Sequence, residues 1–406
     1  MNIRTVTYFV DPAFPLTDER LAAGGRAMAE IRAALEAGGY IVQTVRLATT
    51  PFPRALNGDV SHVMKFALDL EAACFVHQFD CATLGPARPA DGAAFYQIIP
   101  EVITATENVF AAAIIAEATG GVSLPAIRWA AEVIRRNATA RPDGFGNLRF
   151  AALANIPPGS PFFPAAYHDG GTPTFSIGLE AADLAVSAFA EAATLADGRT
   201  RLIRTVEEHA QKIVKIAKRA SGVRGLRFGG VDFSMAPYPE AARSLGSALE
   251  RLTGSPAGER GTLAAAAFLA DALDRAKFSS AGFSGLFFPV FEDAVLAARA
   301  AEGQLSVSDL LLYCAVCGTG LDTLPLPGDV SEEMLAALLV DVAALALRLS
   351  KPLAARLMPI PGKSAGDEVK YDYPYFAPTR VLDPHTTGLK GLLAGDETFD
   401  LAPRSR

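Results

Sequence analysis

The 406-residue chain has few charged residues and no strongly basic region. Charged residues make up 20% of the sequence and the formal net charge is −7. A protein that binds nucleic acid needs lysine and arginine clustered on one face, so we exclude that class. A negative net charge also disfavours binding to anionic membrane surfaces.

Long apolar segments and a recognisable leader are also missing. The first seven residues, Met1 to Thr7, lack the charged and apolar regions of a signal peptide. Apolar stretches are interrupted by charges such as Asp341 before they reach the ~18 residues that span a bilayer. We therefore expect a cytoplasmic protein whose four cysteines are thiols, as is usual in a reducing compartment.

Apolar residues, in contrast, are abundant, at 50% of the chain. A chain of this length can bury a large core without disulfides or structural metals. The high apolar content also predicts a subunit interface, so we expect a homodimer or a higher homo-oligomer.

Strand and helix patterns alternate along the chain. Residues 2–10 and 40–47 have the composition of strands and flank a helical pattern at 17–37. A helix near 59–73 precedes an apolar run at 74–79 that we predict to be a strand, and 200–220 is the clearest helix. The alternation predicts an α/β fold with parallel strands. We predict a single domain over residues 1–385 and a loose C-terminal tail over 386–406.

Polar residues collect in loops at predicted strand ends, where α/β folds bind their ligands. The first such loop, 155–171, contains Asn155 and His168. The imidazole of His168 titrates near neutrality and can act as a general acid or base. A histidine that is simply hydrogen-bonded within its loop fits the sequence equally well.

Two further loops carry carboxylates. Asp232 and Ser234 share one face of a predicted strand, and a buried carboxylate there must be paired, bind a cation or hold a proton. The alternative is an aspartate that caps a neighbouring helix. Glu292 and Asp293 follow another predicted strand and suit metal binding or acid–base chemistry, but acidic residues in the first turn of a helix are also ordinary partners of its dipole.

A fourth loop begins at a Cys-x-x-Cys pair, Cys314 and Cys317. Redox chemistry or half of a zinc site would use such a pair. Zinc needs a second pair of ligands, and the spacing of Cys74 and Cys81 suits it poorly. Cys317 is therefore either a nucleophile at the start of a glycine-rich loop or a buried structural thiol.

The fifth loop contains Gly362-Lys363-Ser364. It is not a phosphate-binding P-loop, because Leu357 stands where that motif requires its first glycine. No dinucleotide fingerprint is present either, so the sequence carries no motif for a nucleotide cofactor, and the cofactor is left open. Arg4, Arg356 and Lys363 are candidates for binding a carboxylate or a phosphate.

The order and spacing of short motifs in these loops resemble the bacterial and archaeal family catalogued as domain of unknown function 711. The motifs are Ile3-Arg4-Thr5-Val6-Thr7, Asn155, Pro161-Phe162, Tyr167-His168, Val231-Asp232-Phe233-Ser234, Ala236-Pro237, Gly261-Thr262, Ser284-Gly285, Pro289-Val290-Phe291-Glu292-Asp293, Cys317-Gly318-Thr319-Gly320-Leu321-Asp322, Arg356, Pro359, Gly362-Lys363, Gly366-Asp367 and Ala377-Pro378.

The resemblance implies a fold like that of the glycyl-radical enzymes, an α/β barrel of ten strands in two five-stranded halves. It brings no established activity. It does not imply radical chemistry, because those enzymes carry an Arg-Val-x-Gly-Tyr type of segment near the C-terminus and this chain has none. Cys317 lies inside the family pattern and Cys314 outside it, which weakens a role for the two as a pair.

Our leading hypothesis is a hydrolase- or lyase-type enzyme acting on a small anionic metabolite inside the barrel. The predicted catalytic residues are His168, Asp232, Glu292 and Cys317. The predicted substrate-binding residues are Arg4, Asn155, Ser234, Arg356 and Lys363. A divalent metal, if one is used, would be held by His168, Asp232 and Glu292. The alternative hypothesis is a regulatory protein that binds such a ligand without catalysis.

Overall fold

The structure, a computed structural model, describes residues 1–221, 225–316 and 319–404. Its strands are β1 (Asn2–Val10), β2 (Val42–Thr49), β3 (Cys81–Ala87), β4 (Val109–Glu117), β5 (Gly121–Ser123), β6 (Phe150–Ala154), β7 (Thr174–Glu180), β8 (Arg227–Asp232), β9 (Gly320–Pro327), β10 (Leu353–Ile360), β11 (Glu368–Val369), β12 (Thr379–Arg380) and β13 (Thr398–Phe399).

The helices carry the longer amphipathic patterns of the sequence. They are α1 (Asp18–Ala37), α2 (Phe52–Ala55), α3 (Val63–His77), α4 (Ala93–Gln97), α5 (Ile99–Ala105), α6 (Leu124–Ala140), α7 (Ala182–Ala190), α8 (Leu195–Ala220), α9 (Leu245–Thr253), α10 (Thr262–Arg275), α11 (Ala294–Ala301), α12 (Val307–Cys314) and α13 (Glu332–Arg348). Of these described helices, none is both long and apolar enough to cross a bilayer.

One large sheet organises the fold, and its main strand order is β8-β7-β1-β2-β3-β4-β6-β10-β9. The strands β1, β2, β3, β4 and β6 are mutually parallel. At either end of this group the direction reverses, because β7 is antiparallel to β1 and β10 is antiparallel to β6. β8 then continues parallel to β7, and β9 parallel to β10. The prediction of an α/β fold with mostly parallel strands is confirmed.

Residues 280–289 lie between the two outermost strands of this order. Single parallel bridges join Val231 to Ser280, Met235 to Leu286 and Pro289 to Asp322. The apolar run at 285–290, which has the composition of a strand, therefore contacts the β8 side of the sheet at its beginning and β9 at its end.

The two faces of the sheet are covered differently. Helices pack on the outer face, where β1 contributes Val6, Tyr8 and Val10 to the main core. The inner face is built largely from small residues, and the segment 156–167 packs against it. Thr7 Oγ1, for example, donates to the carbonyl oxygen of Pro161 at 2.8 Å. The proline-rich segment predicted as a loop is thus mostly buried, because small side chains on the strands leave space for it.

Local patterns located most elements well, and the clearest error concerns residues 74–79. The predicted helix at 200–220 is confirmed by α8. The predicted strand at 74–79 is wrong, because α3 continues to His77 with Cys74 on its buried face and β3 begins only at Cys81. The helix ends where Gln78 adopts a left-handed conformation with φ of 61°, a common way to end a helix.

The C-terminal segment lies against the domain, although its composition predicts a loose tail. Thr398 pairs with Ser123 and Phe399 with Val122, which adds β13 to β5. Arg128 at the start of α6 forms an ion pair with Asp396. Strand pairing and charge therefore hold the segment in place.

Asp293 fixes the start of α11 and joins it to the start of α9. Its Oδ1 accepts hydrogen bonds from the backbone N–H groups of Val295 at 2.9 Å and Leu296 at 3.0 Å, and from the hydroxyl of Ser244 at 2.5 Å. Its Oδ2 accepts from the backbone N–H of Gly246 at 3.1 Å. The carboxylate is fully buried, so its role is that of a helix cap.

We expect the substitution Asp293→Ala to lower the free energy of unfolding by about 3 kcal/mol, because it leaves buried donors without an acceptor. Urea denaturation followed by circular dichroism measures the change. The matched control is Ser331→Ala, which removes the cap of α13 and should cost only about 1 kcal/mol. An equal cost for the two variants would contradict the proposed role of Asp293.

Candidate functional site

A cleft with a volume of about 100 Å³ opens on the inner face of the sheet. Its charged lining residues are Arg4, Arg46, Glu292, Asp322 and Arg356, and its aromatic lining residues are Phe110, Phe162, Phe163, Phe287, Tyr373 and Tyr375. Three of the residues predicted from the sequence, Arg4, Glu292 and Arg356, meet here.

Arg356 on β10 is the centre of the ion-pair network in the cleft. Its Nη2 lies 2.9 Å from Glu292 Oε1 and its Nε lies 2.6 Å from Asp322 Oδ1. Burial by itself lowers the pKa of Arg356, but the charges of Asp322 and Glu292 outweigh burial and raise that pKa above its usual value. Arg356 therefore stays protonated and holds both carboxylates.

Arg4 on β1 approaches Glu292 from the other side. Its Nη2 lies 3.5 Å from Glu292 Oε2 and donates to the carbonyl oxygen of Pro237 at 3.0 Å. Its Nε lies 3.2 Å from Glu180 Oε2, and Glu180 also pairs with Arg243. Glu292 is thus held between two guanidinium groups that come from different strands.

Opposing effects act on the proton affinity of Glu292. Burial raises the pKa of Glu292, while the charges of Arg356 and Arg4 lower it. The net direction is upward. A buried carboxylate with a raised pKa beside positive groups is an arrangement that enzymes use for acid–base chemistry.

Arg46 on β2 differs from the other two arginines of the cleft. Its Nε donates to Thr44 Oγ1 at 2.9 Å, and its guanidinium lies over the ring of Phe163 at 5.2 Å. Across the described ranges of the chain it has no carboxylate partner, and no protein acceptor receives a hydrogen bond from its Nη atoms. Burial lowers the pKa of Arg46, so an anion in the cleft would relieve an unpaired charge.

A hairpin from the C-terminal part of the chain closes one side of the cleft. Its strands are β11 and β12, and its connecting residues include Tyr373 and Tyr375. Phe376 stacks on Phe291 with ring centroids 4.7 Å apart, and the Ala377 N–H donates to the Phe291 carbonyl oxygen at 2.8 Å. Because Phe291 directly precedes Glu292, this packing also positions the carboxylate.

Sequence reasoning missed Arg46, Tyr373 and Tyr375. An indication was present for Arg46, which interrupts the apolar side of a strand pattern at 42–49. The two tyrosines lie in a segment of irregular structure, where no periodicity reveals which way a side chain points. Their proximity to Arg4 and Glu292 depends on contacts between residues far apart in the chain.

Asp232 and Ser234 are buried outside the lining of the cleft. Asp232 Oδ2 accepts from the Phe283 N–H at 2.7 Å, and its Oδ1 accepts from the Ser284 N–H at 2.8 Å and from Ser234 Oγ at 2.5 Å. Ser234 Oγ in turn accepts from the Gly285 N–H at 3.3 Å. The pair holds the turn that begins the 280–289 segment.

His168 lies toward the other end of the inner face. Its backbone N–H donates to the carbonyl oxygen of Thr49, which pairs with Val10 at the end of β1. Asp232 pairs with Gly178 on β7, and Gly178 pairs with Thr5 on β1, so Asp232 and Thr5 lie at the same height in the sheet. At about 3.3 Å per residue these positions are roughly 15 Å apart along the strands, so the structure does not bring His168 and Asp232 together.

His168 is buried, with Asp169 Oδ1 3.8 Å from its Nδ1, and its imidazole is only partly hydrogen-bonded. The residue is 3% exposed, and burial lowers the pKa of its imidazole. Its Nε2 is buried and has no hydrogen-bond partner in the described part of the chain. Asn155, which precedes the buried 156–167 segment, donates to the Lys351 carbonyl oxygen at 3.4 Å and does not line the cleft.

The remaining predicted residues lie elsewhere or outside the described ranges. Lys363 follows β10, is half-buried and is absent from the lining of the cleft. Cys317 lies outside the described residues. Burial raises the pKa of Cys81 to about 11, which keeps this thiol protonated. Within residues 1–221, 225–316 and 319–404, no group of three or more His, Cys, Asp or Glu side chains is arranged to hold a metal ion.

The fold and the cleft define an α/β protein with an arginine-rich pocket on the inner face of its sheet. Comparison with known proteins adds the family. The family described as Uncharacterised ACR (DUF711) matches residues 1–372, so the chain belongs to this family, and the resemblance found in its motifs is confirmed.

Relatives come from both archaea and bacteria. A UPF0210 protein of Pyrobaculum arsenaticum is 33% identical over 345 residues, which cover 81% of this chain and 76% of the relative. A UPF0210 protein of Acetivibrio thermocellus is 32% identical over 357 residues, covering 82% and 77%. One from Neisseria meningitidis serogroup C is 29% identical over 369 residues, covering 88% and 76%.

We expect the protonation of Asp232 to make stability depend on pH. Burial raises the pKa of Asp232 to about 7, although hydrogen bonds from Ser234, Phe283 and Ser284 oppose the rise. The pKa in the unfolded chain is about 3.9, so between these values only the folded state holds the proton. Stability from this group is therefore fully present below pH ~4 and is lost as the pH rises to about 7.

The measurement is urea denaturation of the wild type and of Asp232→Asn from pH 4.5 to pH 8. Relative to the variant, the wild type should lose up to about 4 kcal/mol over this range. The difference isolates Asp232 from the other titrating groups. A difference that stays constant with pH would show that Asp232 is ionised throughout.

Proposed function

We propose that this protein is a hydrolase- or lyase-type enzyme that binds a small anionic metabolite in the arginine cleft. The observation that carries the proposal is Arg46, a cleft-lining guanidinium with no anionic partner among the described residues. We further propose that Glu292 acts as the general acid or base. This narrows the hypothesis from the sequence, because His168 and Asp232 lie outside the cleft.

A charge count around the cleft supports anion binding. Three guanidinium groups line the cleft, and two carboxylates oppose them. The guanidiniums are those of Arg4, Arg46 and Arg356. The carboxylates are those of Glu292 and Asp322. One positive charge is left over, and because each of the other arginines contacts a carboxylate, that charge belongs to Arg46.

The position of Glu292 supports a role in proton transfer. Its side chain is 13% exposed and faces the space into which Arg46 also points. Arg4 and Arg356 stabilise the charged form, while burial favours the neutral form. A carboxyl group under such opposing influences can exist in both the charged and the neutral form, and general acid–base catalysis uses both.

We also propose that the sheet forms the barrel of ten strands implied by the family resemblance. The segment 280–289 would be the tenth strand, since its bridges reach both outermost strands of the sheet order. It would run parallel to β7, β8, β9 and β10, which gives one half of five strands. The other half would be β1, β2, β3, β4 and β6. A cytoplasmic location and a homo-oligomeric state remain part of the proposal.

A second candidate function is ligand binding without catalysis. It is favoured by the ion pairs themselves, because Glu292 and Asp322 are both held by Arg356 and neither is a free base. Turnover separates the two candidates. Binding of an anion with no chemical change to any member of a metabolite library would favour a regulatory protein.

We expect Arg46→Gln to weaken anion binding by 10-fold or more, since a hydrogen bond to a charged group contributes about 1.5–3 kcal/mol. Isothermal titration calorimetry with small organic acids and inorganic phosphate measures the loss. The matched control, Arg204→Gln, removes the same charge from the exposed face of α8 and should leave affinity within about 2-fold. Equal affinities for the two variants would remove the basis of the proposal.

We expect Glu292→Gln to retain anion binding and to lose turnover by at least about 100-fold, because the amide cannot exchange a proton. Incubation with a metabolite library followed by mass spectrometry detects turnover by the wild type, and the rate of the active compound is then compared between the two proteins. Turnover by the variant at the wild-type rate would exclude Glu292 as the acid or base.

A further inference from the structure

The polar groups that the cleft offers to a ligand specify its chemistry more closely, and this inference rests on the proposed anion site. We propose that the ligand is a short monocarboxylate, with one carboxylate oxygen bound by Arg46 and the other by the hydroxyl of Tyr373. Tyr373 would thus be a substrate-binding residue supplied by the C-terminal hairpin.

Three side chains that line the cleft can donate further hydrogen bonds, those of Arg46, Tyr373 and Tyr375. The Arg46 Nη atoms and the two tyrosine hydroxyls have no hydrogen-bond partner in the described ranges of the chain. Tyr373 is the tyrosine whose charge acts on Arg46, whereas Arg4 lies over the ring of Tyr375. Burial and the charge of Glu292 raise the pKa of Tyr373, so its hydroxyl keeps its proton. The acceptors of the cleft, Glu292 and Asp322, already receive arginine hydrogen bonds. A ligand must therefore supply acceptors.

Several anions could supply the hydrogen-bond acceptors, and the net charge of the cleft distinguishes between them. One unpaired positive charge is balanced by one carboxylate. A phosphate group carries about −1.5 to −2 at neutral pH, which would leave excess negative charge beside Glu292 and Asp322. Uncompensated charge in a poorly solvated site is costly, so the cleft favours the monoanion.

The walls of the cleft limit the rest of the ligand. Phe110, Phe162 and Phe287 line it with apolar rings, and Phe162 packs on Phe287 with centroids 4.8 Å apart. The volume of about 100 Å³ is well below that of sites for drug-sized ligands. The cleft therefore suits an acid with a short, mainly apolar body and no second charged group.

The test uses calorimetry on the full chain, in a buffer that contains no carboxylate or phosphate. The probes are acetate, butyrate, succinate and inorganic phosphate, each at millimolar concentration. The wild type should bind butyrate at least 10-fold more tightly than phosphate or succinate, and more tightly than acetate because its apolar body contacts the rings. Tyr373→Phe should weaken butyrate binding by 3-fold or more, and Arg46→Gln by 10-fold or more.

Tyr371→Phe is the matched control, because it removes a hydroxyl from the same hairpin. That hydroxyl donates to the Asp143 carbonyl oxygen and does not line the cleft, so butyrate binding should stay within 2-fold of the wild type. Thermal unfolding shows whether each variant is folded.

The outcomes separate the two levels of the proposal. Preference for phosphate or succinate, or equal butyrate affinity for Tyr373→Phe and Tyr371→Phe, would overturn the monocarboxylate inference and leave the anion site standing. Failure of the wild type to bind any of the four anions would overturn both.

Discussion

The arrangement of the cleft depends on the carboxylate of Glu292, which lies between Arg4 and Arg356. These arginines are on β1 and β10, strands separated by four others in the main order of the sheet. Glu292 follows the segment that touches both outermost strands. The carboxylate of Glu292 therefore links β1, β10 and the segment that precedes α11. Removing either arginine would leave it poorly compensated in a poorly solvated place, which is more costly than the loss of a surface ion pair.

Around this carboxylate, aromatic packing and charge have complementary roles. The stack of Phe291 on Phe376 brings the C-terminal hairpin to the cleft, and the hairpin adds Tyr373 and Tyr375 to its lining. Two buried aspartates fix the segment that carries Glu292. Asp232 accepts hydrogen bonds from the turn at residues 283 and 284, before Glu292, and Asp293 accepts from the start of α11, after it. Asp232 and Asp293 thus stabilise the segment that carries Glu292.

Much of the fold could be predicted from local patterns. Strands such as β1 and helices such as α8 follow from periodicity, and the parallel sheet follows from their alternation. The candidate site was predicted only in part, because a residue's position at a strand end does not say which end of the sheet it reaches. His168 and Glu292 each follow an aromatic residue and precede an aspartate, yet only Glu292 lines the cleft.

The sequence by itself determined the α/β class, the family and three of the charged residues in the cleft, because periodicity and short motifs are properties of neighbouring residues. Tertiary structure alone decided that Glu292 is shared by two arginines, that Arg46 has no anionic partner among the described residues and that Tyr373 lines the same cleft. Those facts depend on contacts between residues tens to hundreds of positions apart. The energy of a buried charge is set by which groups surround it in space, and no local pattern records that.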